Sequence, residues 1–323
     1  MFKPSLLVAA GVLLAAGCRS PRVDSISPMT EGELRAVFSR AQDPRRFWIT
    51  VYGSEEGAYF ANANRLHPDQ VVALPFAGGK NQPDWPLVGV QSTAKESFLA
   101  LLDTSSRDSW GAPDIVLGLR GTPLGPPAYE AVPEHVAEPV KGYACVIPTI
   151  RYDLMQMENV LVYLRAARGP LGYLARRDEK KTPPVLVLGM SWVNVFSFVQ
   201  LNYPEQLLFL SSTSAYGPSA EQLLAEVPLK TVRGALAVEG LVDGEPATLI
   251  LDSAGDFELA MTEPPVEPVR VSVGDLVFPR AKAVAAREHA LGLPKYPRIG
   301  AKWLAKYKVT IAPKAKVVYF ERP

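Results

Sequence analysis

Two short strings decide how this sequence folds: Phe98-Leu-Ala-Leu-Leu-Asp103-Thr104-Ser105-Ser106 and Ala247-Thr-Leu-Ile-Leu-Asp252-Ser253-Ala254-Gly255. Each is an apolar, strand-like run that ends in an aspartate, a hydroxyl residue and small residues. Each is followed by a second matching string. Val185-Leu-Val-Leu-Gly189-Met-Ser-Trp192-Val follows in the first half, and Pro297-Arg-Ile-Gly300-Ala-Lys-Trp303-Leu304 in the second. Both read as an apolar-apolar-Gly strand running into an aromatic turn. A closing hairpin comes third, Phe198 to Phe209 in one half and Lys308 to Phe320 in the other. A shared order of three features marks an internal repeat. The spacing from Asp to Gly is 86 residues in the first half and 48 in the second, and insertions rich in Pro and charge at 118–139 and 165–184 absorb the difference.

The surrounding sequence agrees with a β protein. Of the 323 residues 48% are hydrophobic, enough for a sizeable core and too many for a disordered chain. Thirty prolines make about 9% of the chain, against a usual ~5%, which argues against long helices. Short apolar runs punctuated by Gly and Pro begin near Phe47 and include Pro86–Val90, Asn159–Leu164, Val185–Leu188, Gln206–Leu210, Gly234–Val238, Val269–Val273 and Ala281–Ala285. Lys302–Lys316 alternates basic and apolar residues, as a strand with one wet face would. Two helical segments are expected. Thr30 and Glu33 have capping-box spacing at the head of a short helix, Glu31 to Arg40, and Ala220–Glu226 reads as a turn or two stopped by Pro228.

Charge and side-chain chemistry exclude several function classes. With 34 basic and 33 acidic residues the formal charge is +1, and no basic face suggests nucleic acid. His67, His135 and His289 lack ligand spacing or a serine elbow, so neither a metal nor a cofactor is expected. Two cysteines cannot make a disulfide scaffold, and Cys145 reads as a small buried hydrophobe.

The N-terminus reads as an address. Lys3 precedes an apolar run from Leu6 to Ala16, too short to span a bilayer. Leu14-Ala-Ala-Gly-Cys18 resembles a bacterial lipobox, which implies cleavage after residue 17, acylation of Cys18 and anchorage to a membrane. Arg19 at the next position points by the same resemblance to the outer membrane, facing the periplasm.

The paired Asp strings, each with its own Gly strand and closing hairpin, resemble the aspartic proteases of the retropepsin and pepsin group, here in tandem-lobed single-chain form. The resemblance spans about 47–212 and 230–321. It implies an all-β fold of two pseudo-symmetric barrel lobes with a cleft between them. The expected divisions are a signal at 1–17, a tether and helix at 18–46, lobes at 47–213 and 230–323, and a linker at 214–229. Asp103 and Asp252 would form a carboxylate pair sharing one proton and activating a water on a peptide bond. Thr104 and Ser253 would bond across to the opposite lobe, and Gly189 and Gly300 would let the crossing strands approach the Asp loops. Ser105 and Ala254 stand where the family has glycine; each keeps the backbone N–H and adds a Cβ. A flap is expected from the first lobe alone, from 118–127 or 129–145. The implied partners are a peptide or protein substrate and a membrane, on a monomer that is its own pseudo-dimer. The alternative is a catalytically silent protein whose cleft binds a peptide or envelope ligand.

Overall fold

The computed structural model describes residues 29–54, 57–67, 71–77, 85–92, 97–125, 129–131, 141–164, 185–285 and 296–323. The lipobox with Cys18, His135, His289 and most of the two insertions lie outside these residues. The chain is mainly β. Its first element is the expected helix, Glu31–Phe38, and both halves of its capping box form: the Glu33 N–H donates to Thr30 Oγ1, and the Thr30 N–H donates to the Glu33 carboxylate.

Each half of the chain builds its own sheet around its own Asp strand. In the first, Leu87–Ser92 pairs antiparallel with Ser97–Leu102, and Val185–Leu188 crosses back to lie parallel beside Ser97–Leu102. In the second, Ala235–Val242 pairs antiparallel with Glu245–Asp252, and Arg298–Gly300 lies parallel beside it. A long hairpin wraps each sheet: Gly142–Tyr152 with Met155–Leu164 in the first, and Val269–Val273 with Leu276–Ala281 in the second. The Asp strands must run between two neighbours and under a covering layer, and their composition allows it. Ala100, Leu101, Leu102, Leu249, Ile250 and Leu251 are all buried.

A third sheet is shared. Its six strands run Leu223–Pro228, Val317–Glu321, Lys308–Ala312, Phe198–Asn202, Leu207–Ser211 and Val71–Pro75, three from each half. The seam is the antiparallel pair of closing hairpins, with Val199 opposite Ile311 and Leu201 opposite Val309. All four side chains are buried, each contributing roughly 1.5–3 kcal/mol relative to exposure. The two halves are therefore one folding body with a common core, which runs without a break from Val72 to Phe320.

Two local expectations fail for physical reasons, and one of the two flap candidates lies packed in its lobe over its described part. Residues 220–226 are strong helix formers, yet Leu223–Pro228 is a strand, because pairing with Val317–Glu321 buries Ala225 and Val227 and overrides propensity. The stretch 302–316 is not a strand with one wet face. It opens with a helical turn, Ala301–Leu304, and Lys308–Ala312 is then buried at four successive positions because it lies inside the shared sheet. Among the described residues, 118–125 does not stand out as a flap. It closes a short helix, Pro113–Gly118, and pairs Thr122–Pro123 with Gly142–Tyr152, with Leu119 and Leu124 buried.

Candidate active site

The Asp strands of the two lobes end face to face. At their ends the residues after the aspartates exchange hydrogen bonds. Thr104 Oγ1 donates to the Leu251 carbonyl at 2.6 Å and accepts the Ser253 N–H at 3.1 Å. Ser253 Oγ donates to the Leu102 carbonyl at 2.7 Å and accepts the Thr104 N–H at 3.0 Å. Four bonds thus tie two loops 149 residues apart in sequence, and both hydroxyls are buried. A polar group buried this deeply is stable only when partnered, and these two partner each other's backbones.

The crossing strands brace the loops from behind in the same way twice. The Met190 N–H donates to the Ser106 carbonyl at 2.7 Å, and the Ala301 N–H to the Gly255 carbonyl at 2.8 Å. Glycine is required where each crossing strand turns. A Cβ on Gly189 would lie 2.3 Å from the Asp108 carbonyl oxygen, and one on Gly300 would lie 2.3 Å from that of Phe257. Trp192 and Trp303 follow at equal distances and are both buried in the core.

The carboxylates accept bonds from the positions where glycine was expected. The Ser105 N–H reaches Asp103 Oδ1 at 2.9 Å, and the Ala254 N–H reaches Asp252 Oδ1 at 3.2 Å. Beyond this the two environments diverge. Asp103 takes two further donors, Ser105 Oγ on Oδ1 at 2.5 Å and Ser106 Oγ on Oδ2 at 2.7 Å. Asp252 instead meets a cation: Arg298 Nη1 lies 3.3 Å from its Oδ2, with both side chains about 95% buried. Burial pushes the Asp252 carboxyl up to about 7; the Arg298 charge opposes that rise and the nearby Asp103 charge adds to it, while the Ala254 N–H and the Ser105 hydroxyl stabilise the ionised form. Burial also drives the Arg298 guanidinium below its usual range, against the pull of both carboxylates, and its plane rests 5.3 Å from the centre of the Phe257 ring.

The centre is closed in this structure. Asp103 is 0% exposed and Asp252 is 3% exposed. Trp85 and Leu87 of the first lobe form one buried cluster with Ala254 and Ala301 of the second, so first-lobe apolar surface covers the second Asp loop. Leu87 lies opposite Leu101, and Ala237 opposite Ile250, so by register Trp85 occupies the place that Ala235 holds in the second lobe. The covering indole belongs to one lobe only.

Of the anticipated residues, the structure brings together Asp103, Asp252, Thr104, Ser253, Ser105, Ala254, Gly189 and Gly300. Cys145 is remote from them, free and buried, its thiol pushed up by burial. His67 is exposed beside Glu158. Among the described residues no group of three His, Cys, Asp or Glu is placed to hold a metal ion. Sequence reasoning missed Arg298, which occupies a slot read as apolar. The signal was present: Arg298 stands two residues before Gly300, where the first half has Val187 before Gly189. It also missed Trp85 and the second serine, Ser106.

No family model and no curated protein matches the sequence. Solved structures similar to this one include basic 7S globulin from soybean, with a TM-score of 0.46 and 11% identity over 79% of this chain and 95% of that one. An aspartic proteinase from Irpex lacteus is similar with a TM-score of 0.49 and 8% identity, over 78% of this chain and 97% of that one. The fold of this chain is acid-protease-like, as its own topology shows: two lobes, an Asp strand with a parallel crossing strand in each, and a sheet shared between them.

Proposed function

We propose that this chain is an aspartic-type hydrolase of peptide bonds. The observation that carries the reading is the pair of buried carboxylates, held together by the four-bond hydroxyl exchange, with Asp252 pushed up to about 7 beside Asp103. Below about pH 7 Asp252 then keeps its proton, and Asp103, which accepts bonds from the Ser105 N–H and the Ser105 and Ser106 hydroxyls, is placed as the base. Asp103 takes a proton from water as the water oxygen bonds to the peptide carbon, and Asp252 gives its proton to the carbonyl oxygen. Collapse of the resulting diol breaks the C–N bond, and the nitrogen leaves with a proton returned by the pair. Substrate reaches the centre only when the buried cluster of Trp85, Leu87, Ala254 and Ala301 opens. The sequence before the described residues supports a mature protein held in a bacterial envelope by an acylated Cys18, facing the periplasm.

A second reading is favoured by Arg298. A buried guanidinium on one carboxylate stabilises the state in which both are ionised, which suits a protein that keeps the fold to bind a peptide rather than to cleave it. The two readings part in one assay. A peptide library is incubated between acid and neutral pH with the wild type, Asp103→Asn and Asp252→Asn. The hydrolase loses about 10²-fold or more of its rate in each variant. Equal cleavage by all three refutes the pair as the source of the activity, and no cleavage by any favours the binding protein.

A further inference from the structure

Among the described residues, the first two strands of the chain form a sheet that no other strand joins: Thr50–Ser54 pairs with Gly57–Ala61 as a hairpin of its own. One face of it is packed. Val51 lies opposite Phe60, and both meet the first-lobe cluster that holds Ile49, Trp110 and Leu124, with the Phe60 ring edge-on to Tyr129 at 5.4 Å. The other face carries Tyr52 opposite Tyr59, their rings 6.5 Å apart, and these are 56% and 66% exposed. Trp48 stands at the open end of the same hairpin, where its carbonyl accepts the Asn62 side-chain N–H, and it is 78% exposed. The other four tryptophans are all buried. Trp48 also has a φ of 60°, a left-handed backbone that glycine or asparagine adopts at less cost. Folding does not ask for an indole here.

Tryptophan and tyrosine, each with an apolar body and a polar tip, are the side chains that settle between lipid headgroups and acyl chains. We propose that the face of Trp48, Tyr52 and Tyr59 rests on the bilayer surface, as the second attachment of a protein held by an acylated Cys18. This rests on the anchored reading given above, which supplies the occupant. Thirteen residues carry the chain from Cys18 to Glu31, the start of the helix that leads toward the hairpin, and they reach at most ~45 Å fully extended. Such a tether makes the second contact intramolecular, so a patch too small to hold a free protein suffices. Charge sets how the hairpin lies. The two residues that join its strands are Glu55 and Glu56, whose carboxylates do not enter hydrocarbon, so it meets the lipid broadside rather than tip-first. Arg46, two residues before Trp48, is exposed and supplies a cation for lipid phosphates. A single tether leaves the protein free to turn; the second contact sets the first lobe toward the bilayer.

The test uses the full chain, processed by its host and reconstituted with phosphatidylcholine vesicles whose acyl chains carry bromine, a contact quencher of indole emission. With the other four tryptophans buried, quenching by lipid reads Trp48. The proposal expects quenching in the wild type, stronger with bromine near the head of the acyl chain than near its end, and its loss in Trp48→Phe. Tyr52→Ser combined with Tyr59→Ser should lower the quenching by about half, since binding scales with the apolar area that meets the lipid, while the circular dichroism stays that of the wild type. The mass of the N-terminal peptide reports separately whether Cys18 is acylated. Quenching without acylation supports the lipid face and removes the anchor. Acylation without quenching overturns the face and leaves the anchor standing, and the absence of both overturns both. An emission shift that follows protein concentration rather than lipid assigns the face to a second copy of this chain and overturns the proposal.

Discussion

Replacing Thr104 by valine keeps the shape of the side chain and deletes one oxygen, so it measures what the hydroxyl exchange contributes. That oxygen serves two buried backbone groups of the opposite lobe, the Leu251 carbonyl at 2.6 Å and the Ser253 N–H at 3.1 Å. A buried polar group left without its partner costs about 1–3 kcal/mol, so two cost about 2–6 kcal/mol. Against a total stability of ~5–15 kcal/mol this is a large fraction, equivalent to a fall in Tm of about 3–9 °C for a chain of this size. Scanning calorimetry on wild type, Thr104→Val and a control supplies the comparison. The control is Thr248→Val, whose hydroxyl bonds to Glu239 at 3.1 Å on the surface, and it should stay within about 0.5 kcal/mol of wild type. Ser253→Ala should match Thr104→Val, because it strands the Leu102 carbonyl and the Thr104 N–H. The double variant should cost less than the sum by about 0.5–3 kcal/mol, since water enters the seam once either hydroxyl is gone. If Thr104→Val is no more destabilised than Thr248→Val, the exchange does not hold the lobes and the argument fails.

Other perturbations act on neighbouring parts of the centre. Asp252 has a folded pKa raised to about 7, so its neutral form contributes stability that is complete below the ordinary carboxylate range, declines between about pH 4 and 7, and is gone above it. Urea titrations should show this decline in the wild type and its loss in Asp252→Asn; parallel pH profiles would contradict the raised pKa. Arg298→Met should cost little near pH 5, where Asp252 holds its proton, and about 3–5 kcal/mol near pH 8, where it strands a buried anion. A cost independent of pH would mean the ion pair is not what Arg298 provides. Gly300→Ala forces a Cβ against the Phe257 carbonyl oxygen at 2.3 Å and should cost at least about 1–3 kcal/mol, whereas Gly89→Ala, with nothing within 4 Å, should be nearly silent; chemical denaturation of the two variants decides it.

The repeat made the Asp loops and their crossing strands legible, because apolar strands ending in Asp-hydroxyl leave a one-dimensional trace. What the trace could not carry was context supplied by pairing partners. The helix formers at 220–226 became a strand because Val317–Glu321 lies beside them, almost a hundred residues further on. Arg298 passed as part of an apolar slot because its neighbour Ile299 and the following Gly300 fit the pattern, while the reason for a cation there, Asp252, sits 46 residues away. The Ser105 substitution was visible as a departure from glycine, but that its hydroxyl turns back onto Asp103 Oδ1 is set by the folded loop. Trp85 stood in no motif at all; its burial in one cluster with Ala254 and Ala301 depends on the other lobe.

The six-stranded sheet has a consequence for how the molecule is made. Its seam joins Phe198–Asn202 to Lys308–Ala312, and Leu223–Pro228 finds its partner only in Val317–Glu321. A ribosome delivers these pieces in order, so the first lobe emerges with one face of its hairpin unsatisfied and waits for more than a hundred residues of further synthesis before that edge can close. During the wait an open strand edge of apolar composition is exposed to every neighbour. The centre needs Thr104 and Ser253 to exchange bonds across the lobes, so it cannot form before the second Asp strand has been made. A chain lacking Val317–Glu321 leaves Leu223–Pro228 and one edge of Lys308–Ala312 without their partners.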